Sequence, residues 1–462
     1  MEAAPHPASK GLTVPRRLVR RARRATGAFP GQFWLVFGAT FVYLGSSALV
    51  FPYFGIYLTE RLGVSRTEAG LVLGLASLIG LPLQIAGGSW ADKHGRRGVM
   101  LFSLLATALV SFLLAAARTP WQAEVLVLLN GALGWPLFLT ASNAMVADLV
   151  EQERTAEAFS IVRVALNLGV VAGPALAGFA LAAGLSFSWL FVAAGAGCTA
   201  LLLVLAARLA ETRPVVAAHS QSARRVDAGP LDAAEALATA DMLAAAMDDE
   251  PSGADGRPPD PALPAHSGYG LILRDRRFLL FCAVSLLPLF CYGQIVSTYP
   301  VYLTQFLGVS LAQWGLLLSL NGILIVAVQY PLVRSLPEGS HLRAVALASA
   351  LLGIGVGAAA FVTGNWMLWV LMAVFSFGEM LFVPLSTSLV SGMTTLAERG
   401  RYMGVWSLVW IGGQAMSPLV TGWSMDELGG RTSFAIVLAA GLTGALLLLA
   451  SGSHLRRTRP AG

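Results

Sequence analysis

Gly88-Ser89-Trp90-Ala91-Asp92-Lys93-His94-Gly95-Arg96-Arg97 joins two long apolar runs, at about 68–87 and 98–117. Gly88 and Gly95 suit a close backbone approach and a tight turn, because glycine reaches conformations closed to other residues. Asp92 falls at the carboxyl end of the first run, where a negative charge opposes the helix dipole and calls for a partner. Lys93, Arg96 and Arg97 place a cluster of cations beside an apolar segment, which holds such a loop on the cytoplasmic side of a bilayer.

Every fixed position of G-x-x-x-D-(R/K)-x-G-R-(K/R) is filled in this stretch, with Lys93 at the first basic position. The pattern resembles the loop signature of the major facilitator superfamily. The resemblance implies a carrier of two six-helix halves. It also implies that Asp92 faces the start of the eleventh helix, near Arg401, and that Arg96 pairs with Asp148 at the inner end of the fourth. Together these would latch the inner gate of an outward-facing state.

Outside the loop, composition points the same way. The 462 residues are 56% hydrophobic and 12% charged, with a mean hydropathy of +0.69. Soluble domains carry about 25% charged residues. Apolar runs of about 20 residues span a bilayer as helices. Six such runs lie at about 33–58, 68–87, 98–117, 124–146, 158–182 and 186–207, and six more at about 278–304, 312–334, 343–362, 367–390, 402–424 and 432–451. With the amino end inside, the outer loops hold only Arg61, Arg66, Arg118 and Arg431 of the Lys and Arg residues. That asymmetry puts both termini in the cytoplasm. The expected fold is an all-α membrane protein, with twelve transmembrane helices in two pseudo-symmetric six-helix bundles. A basic tail covers 1–30, the first bundle 31–211, a cytoplasmic linker 212–275, the second bundle 276–452 and a short tail 453–462. Asp232–Met247 within the linker has the composition of a helix.

The chain repeats itself. Tyr57-Leu58-Thr59-Glu60-Arg61-Leu62-Gly63-Val64-Ser65 matches Tyr302-Leu303-Thr304-Gln305-Phe306-Leu307-Gly308-Val309-Ser310 at an offset of 245. The register continues through Gly70 with Gly315. Gly169, Pro174 and Gly178 recur as Gly413, Pro418 and Gly422 at an offset of 244. Parallel six-span repeats place a substrate site between the halves near mid-membrane.

Three groups of residues carry the candidate chemistry. In the fifth span, Asn167, Gly169, Gly173, Pro174 and Gly178 resemble the family's antiporter-type G-x-x-x-G-P helix, whose small residues let helices pack closely. The fourth-span Arg of those antiporters is absent, with Val127 in its place. In the tenth span, Glu379 sits mid-membrane, where a charge costs about 2.5–3.5 kcal/mol on insertion scales and usually marks a pathway. Arg163, about a turn inside the fifth span, is the candidate partner in proton coupling; binding an anionic cargo and snorkelling to the surface stay open. Tyr53, Trp135, Gln294, Asn321, Trp410 and Gln414 are polar or aromatic groups for a substrate cavity.

Catalysis has no support: all six His fall outside the spans, and no mid-membrane carboxylate pair or metal cluster remains. Neither Lys can be placed in a phosphate-binding G-x-x-x-x-G-K-[ST] loop. The positive charge sits where a membrane protein needs it, so no nucleic-acid partner is expected. The three cysteines lie in apolar spans and imply no disulfide. The expectation is a monomeric, multi-pass inner-membrane carrier in contact with lipid. It takes a small-molecule substrate, needs no cofactor, and draws on a proton gradient to export small amphipathic or drug-like compounds. A proton-linked uptake permease for a nutrient or peptide and a non-transporting membrane sensor or scaffold are the alternatives.

Overall fold

The computed structural model describes residues 29–151, 154–212, 272–337, 340–394 and 398–452. The tails at 1–28 and 453–462 and most of the linker, with its expected Asp232–Met247 helix, lie outside the described residues. Among the described residues there are no strands.

Twelve helical spans follow in order. In the first half, α1 runs over Gly31–Arg61, α2 over Arg66–His94, α3 over Arg96–Ala116, α4 over Pro120–Leu149, α5 over Thr155–Ala182 and α6 over Phe187–Arg208. In the second, α7 runs over Arg276–Gly293 and continues through a 3-10 turn into Tyr299–Leu307. Then come α8 (Leu311–Arg334), α9 (His341–Gly357), α10 (Trp366–Gly392), α11 (Arg399–Glu427) and α12 (Gly430–Ala450). Among the described residues, eleven segments are long and apolar enough to cross a membrane. The span missing from that set is α11, diluted by Trp406, Trp410, Gly412, Gly413, Gln414 and Ser417. With an even number of crossings, both described ends lie at one face, here the termini face; the opposite one is the far face.

Breaks in the helices have local causes. In α1, Pro52 cannot donate a backbone hydrogen bond, and the helix gives way to a 3-10 turn at Phe51–Tyr53 and a π turn at Tyr57–Arg61. In α4, Gly134 interrupts the helix just ahead of Pro136.

The nine-residue repeat is also a repeat of structure. Tyr57 and Tyr302 each donate to a carbonyl at the far end of the third span of their own half, Leu114 at 3.4 Å and Ala359 at 3.3 Å. Gly63 and Gly308 adopt φ of +69° and +66°, the left-handed region that glycine enters without strain. Ser65 and Ser310 then cap α2 and α8, accepting from the amides of Glu68 and Gln313.

The halves meet toward the far face. One apolar core runs through the second half and into the far-face part of the first, from Val50 through Val127 and Ala194. A separate core, with Phe33, Met100, Phe138, Met145, Phe159 and Leu205, belongs to the first half alone. α2 approaches α11, and α5 approaches α8, through glycines: a Cβ added at Gly70 would strike the Pro418 carbonyl, and one at Gly315 the Pro174 carbonyl. Nearer the termini face, Gly412 on α11 has nothing within 4 Å. The close backbone contacts that these glycines mark between the halves therefore lie toward the far face.

Candidate functional site

Glu379 lies half-way along α10, thirteen residues from either end of Trp366–Gly392. Its carboxylate accepts hydrogen bonds from two other helices. The Tyr292 hydroxyl, near the end of the first α7 segment, donates to Oε1 at 3.1 Å. The Asn321 amide, on α8, donates to Oε2 at 2.9 Å. The same amide nitrogen lies 3.1 Å from Ser376 Oγ, and Ser376 donates to the Met372 carbonyl, which fixes the cluster to α10. Aromatic rings back it: Tyr292 stacks on Phe375 at 6.1 Å and lies 5.6 Å from Trp410, which also meets Phe382 and Trp406.

Arg163 on α5 approaches from the other half. It is half-buried and interacts electrostatically with Tyr292 and Glu379. No ion pair within 4.0 Å forms there; the pairs among the described residues lie elsewhere. Arg163, on the opposite half, thus lies within electrostatic reach of Glu379 without forming an ion pair with it.

The expected cavity set divides. Asn321 is bonded to Glu379 and belongs to that site. Trp410 lines the aromatic wall, and Trp135 stacks on Tyr43 at 5.8 Å in the first half. Gln414 is half-buried, with its backbone against Gly293. Two assignments need correction. Gln294 is fully buried, donates to Thr421 at 2.9 Å and accepts from Thr298, so it ties α7 to α11 and lies on no cavity wall. Tyr53 is buried at the far-face seam, donating to the Pro174 carbonyl at 2.7 Å and lying 3.4 Å from that of Leu311. A polar side chain in a span signals a need for a partner, but not whether water or protein supplies it.

In α5, Gly169 and Gly173 face α1, where a Cβ would crowd Gly45 and Ala48. Gly178 faces the Leu311 carbonyl across the seam, Pro174 supplies the acceptor for Tyr53, and Asn167 is half-buried.

The opening signature is less of a loop than its spacing implies. α2 continues to His94, so Gly88, Asp92 and Lys93 are helical, and Gly95 alone, at φ +94°, separates α2 from α3. Arg96 pairs with Asp148 at 2.9 Å. Asp92 does not face α11: its side chain is 67% exposed and pairs with Arg96 at 2.9 Å, one turn on in sequence. Among the described residues, Asp92 makes no ion pair with α11.

Glu211, not singled out in the sequence, holds the turn. Its carboxylate accepts from the amides of Arg96 at 2.9 Å and Arg97 at 3.2 Å, capping α3 at its positive end. A Cβ at Gly95 would overlap that carboxylate. Arg97 donates to the Ala206 carbonyl at 2.6 Å, and Thr212 to Asp148 at 3.1 Å.

Tyr292, Glu211 and the far-face pair of Arg66 with Asp426 are the functional candidates that sequence reasoning passed over. The signal for Tyr292 was present: a phenol mid-span requires an acceptor. The other two depend on pairing across more than a hundred residues, which spacing does not reveal.

With this geometry in view, comparison with known proteins gives the class. The profile of the Major Facilitator Superfamily matches residues 36–337 and 339–461. The chain belongs to the Major Facilitator Superfamily: it is a multi-pass membrane transporter for small molecules, not an enzyme. It is 26% identical to a Na(+), Li(+), K(+)/H(+) antiporter of Planococcus maritimus, over 84% of this chain and 89% of that one. It is 26% identical to the multidrug resistance protein MdtH of Cronobacter sakazakii, over 86% and 87%. Among solved structures, a point mutant of the nucleoside transporter NupG shares the fold with a TM-score of 0.67, at 14% identity, over 91% of this chain and 99% of that one.

Proposed function

We propose that the chain exports small amphipathic compounds in exchange for protons. It works as a monomer in the plasma (inner) membrane with its termini face in the cytoplasm, and needs no cofactor beyond the gradient. Glu379 carries the reading. It is an ionisable group at mid-membrane, held by donors from two helices and opposed by a cation on the other half.

The chemistry follows from the partners. Protonation converts one carboxylate oxygen from acceptor to donor. Asn321 presents N–H and keeps donating to Oε2; the Tyr292 hydroxyl can turn and accept. The proton therefore rides on Oε1. Neutralising Glu379 removes the opposing charge from Arg163, so the attraction between the halves depends on the proton. That is what coupling requires: a ligand shifts the equilibrium only by its differential interaction with the two states. In the termini-face-open state, the Arg96–Asp148 pair and Glu211 keep the signature turn assembled, and Asp92 is free to meet α11 when that face closes. The fifth-span Gly-Pro helix and the relatives' names, an antiporter and a multidrug resistance protein, support export over uptake.

The test is dye or antibiotic efflux from cells making the protein. Efflux collapsing with an uncoupler is expected; efflux untouched by it would remove the proton from the mechanism. The similarity to a cation/proton antiporter favours one further reading, exchange of Na⁺, Li⁺ or K⁺ for H⁺. Salt-induced alkalinisation of acid-loaded proteoliposomes separates that reading from export of organic compounds.

A further inference from the structure

The nine-residue repeat takes no part in the proton site. We infer that its two copies are the far-face gate, each closing on the other, and that a charge latch holds one of the gate's two seams. The inference rests on the chain being an alternating transporter; it needs neither proton coupling nor a particular cargo.

The shared tyrosines, glycines and serines serve their own half, in the roles described above. The shared threonines, with the unlike residues that follow them, reach across. Gln305 Nε2 donates to Thr59 at 2.8 Å, and Thr304 donates to Glu60 Oε1 at 2.9 Å. Position 59 is equivalent to 304, and 60 to 305, so this is one contact made twice about the pseudo-twofold axis. The helices behind it obey the same symmetry. Gly70 faces the Pro418 carbonyl as Gly315 faces that of Pro174, and Gly422 faces the Arg66 carbonyl as Gly178 faces that of Leu311. Backbone meets backbone at each point, with no space for a methyl group.

The symmetry stops at charge. Arg66 pairs with Asp426 at 3.1 Å, donates to Gln305 at 2.9 Å and lies over the Phe306 ring at 4.8 Å. The amide and hydroxyl of Thr67 both donate to Asp426 at 2.8 Å. On the other seam the equivalent positions are Leu311 and Ala182. The α2–α11 seam is therefore latched by charge, and the α5–α8 seam by close packing and uncharged hydrogen bonds, from Tyr53 to the Pro174 carbonyl and from Ser319 to that of Val171 at 2.7 Å each. Releasing the latch opens the gate on the α2–α11 side.

Ser297 reports on the gate. It is buried, and its carbonyl packs where a Cβ on Gly55 would sit, on the other half. The native cysteines are buried and give little background. Ser297→Cys in the purified full-length chain is reacted with a maleimide, and the labelling rate is compared across partner variants. Asp426→Asn and Arg66→Gln, each checked for a monodisperse elution profile, are expected to raise the rate about tenfold, the ratio matching about 1.4 kcal/mol. The charge swap Arg66→Asp with Asp426→Arg returns it toward the starting value. Leu311→Ala, on the other seam, leaves it within about twofold of the start. Unchanged labelling in both latch variants overturns the inference, as does an equal rise in Leu311→Ala. Labelling that follows the latch in a chain showing no proton-driven flux would leave the gate standing and remove the coupling.

Discussion

Glu379→Gln separates a proton carrier from a structural acid. The carboxylate accepts one bond from Tyr292 and one from Asn321, both near 3 Å. A glutamine keeps one acceptor and replaces the other with an N–H. Asn321 cannot turn to accept that N–H without facing its own oxygen toward Ser376, whose hydroxyl is already committed to Met372. Tyr292 has no such constraint. The amide therefore enters with its oxygen toward Asn321 and its nitrogen toward Tyr292, mimicking the protonated acid. One hydrogen bond reverses and none is lost, so stability changes by less than about 1 kcal/mol, within the net worth of a single bond. Transport should split. In proteoliposomes, counterflow of labelled cargo with cargo on both sides persists, because the neutral site still lets the halves rock. Accumulation driven by a proton gradient falls at least about tenfold, a loss of about 1.4 kcal/mol of coupling. Undiminished gradient-driven accumulation would refute the role given to Glu379. A several-degree fall in melting temperature with parallel loss of both activities would show a structural acid instead.

Four further outcomes follow from the geometry. Gly315→Val places a side chain against the Pro174 backbone and should cost the sealed state about 1–3 kcal/mol, the usual range for overpacking; Gly63→Ala strains a left-handed residue with no neighbours within 4 Å and should leave the Ser297→Cys labelling rate unchanged. Asp426 lies past the apolar stretch of α11, at the far-face surface. Burial alone would push its carboxyl up, but the amide and hydroxyl of Thr67 and the Arg66 guanidinium outweigh it and hold the group below the usual carboxylate range. A lowered value in the sealed state stabilises that state above the ordinary aspartate range. The contribution fades as pH falls through Asp426's own lower value, so the labelling rate, corrected for the thiolate fraction with an exposed reference cysteine at each pH, should rise only below the ordinary aspartate range and should lose that step in Asp426→Asn. Glu211→Ala removes the cap on α3 and should cost about 0.5–2 kcal/mol in thermal unfolding, with Glu211→Gln intermediate because an amide oxygen still accepts.

Much of the fold was legible because the membrane simplifies the code. A bilayer forces each span to satisfy its own backbone, so apolar length alone counts spans. The repeat at an offset of 245 then pairs the halves. Glu379 was legible for the same reason: a mid-span acid violates the solvent's rule and must be explained. Tyr292 violates it more weakly, since a phenol costs little to bury once bonded, and it did not stand out. Tyr53 and Gln294 share the character of cavity residues yet are spent on protein acceptors, and only the packing decides between the two. Helix ends were the least legible. The signature from Gly88 to Arg97 reads as a loop by its charge, whereas α2 carries its charged turn to His94 because lysine and histidine there favour a helix carboxyl end.

The two faces of the molecule now differ in a way that bears on its cycle. At the far face Asp426 is matched by an arginine and two Thr67 donors, and the seam is shut. At the termini face Asp92 is two-thirds exposed, its pairing confined to Arg96 on its own half. If Asp92 meets α11 when the termini face closes, as proposed above, each acid opposes the other half only when its own face is shut, and the two latches are alternatives. A carrier needs such latches to be nearly equal in strength. To move from 1:99 to 99:1, a ligand must supply about 5.5 kcal/mol of differential affinity, and a partly exposed charge latch contributes only a fraction of that. The far-face latch thus biases the equilibrium by a fraction of what cargo and proton together must supply. The same reasoning makes Asp92→Asn and Asp426→Asn opposites. The first should deepen the termini-face-open state and slow Ser297→Cys labelling, and the second should hasten it. If both moved labelling in one direction, the two acids would not be competing latches.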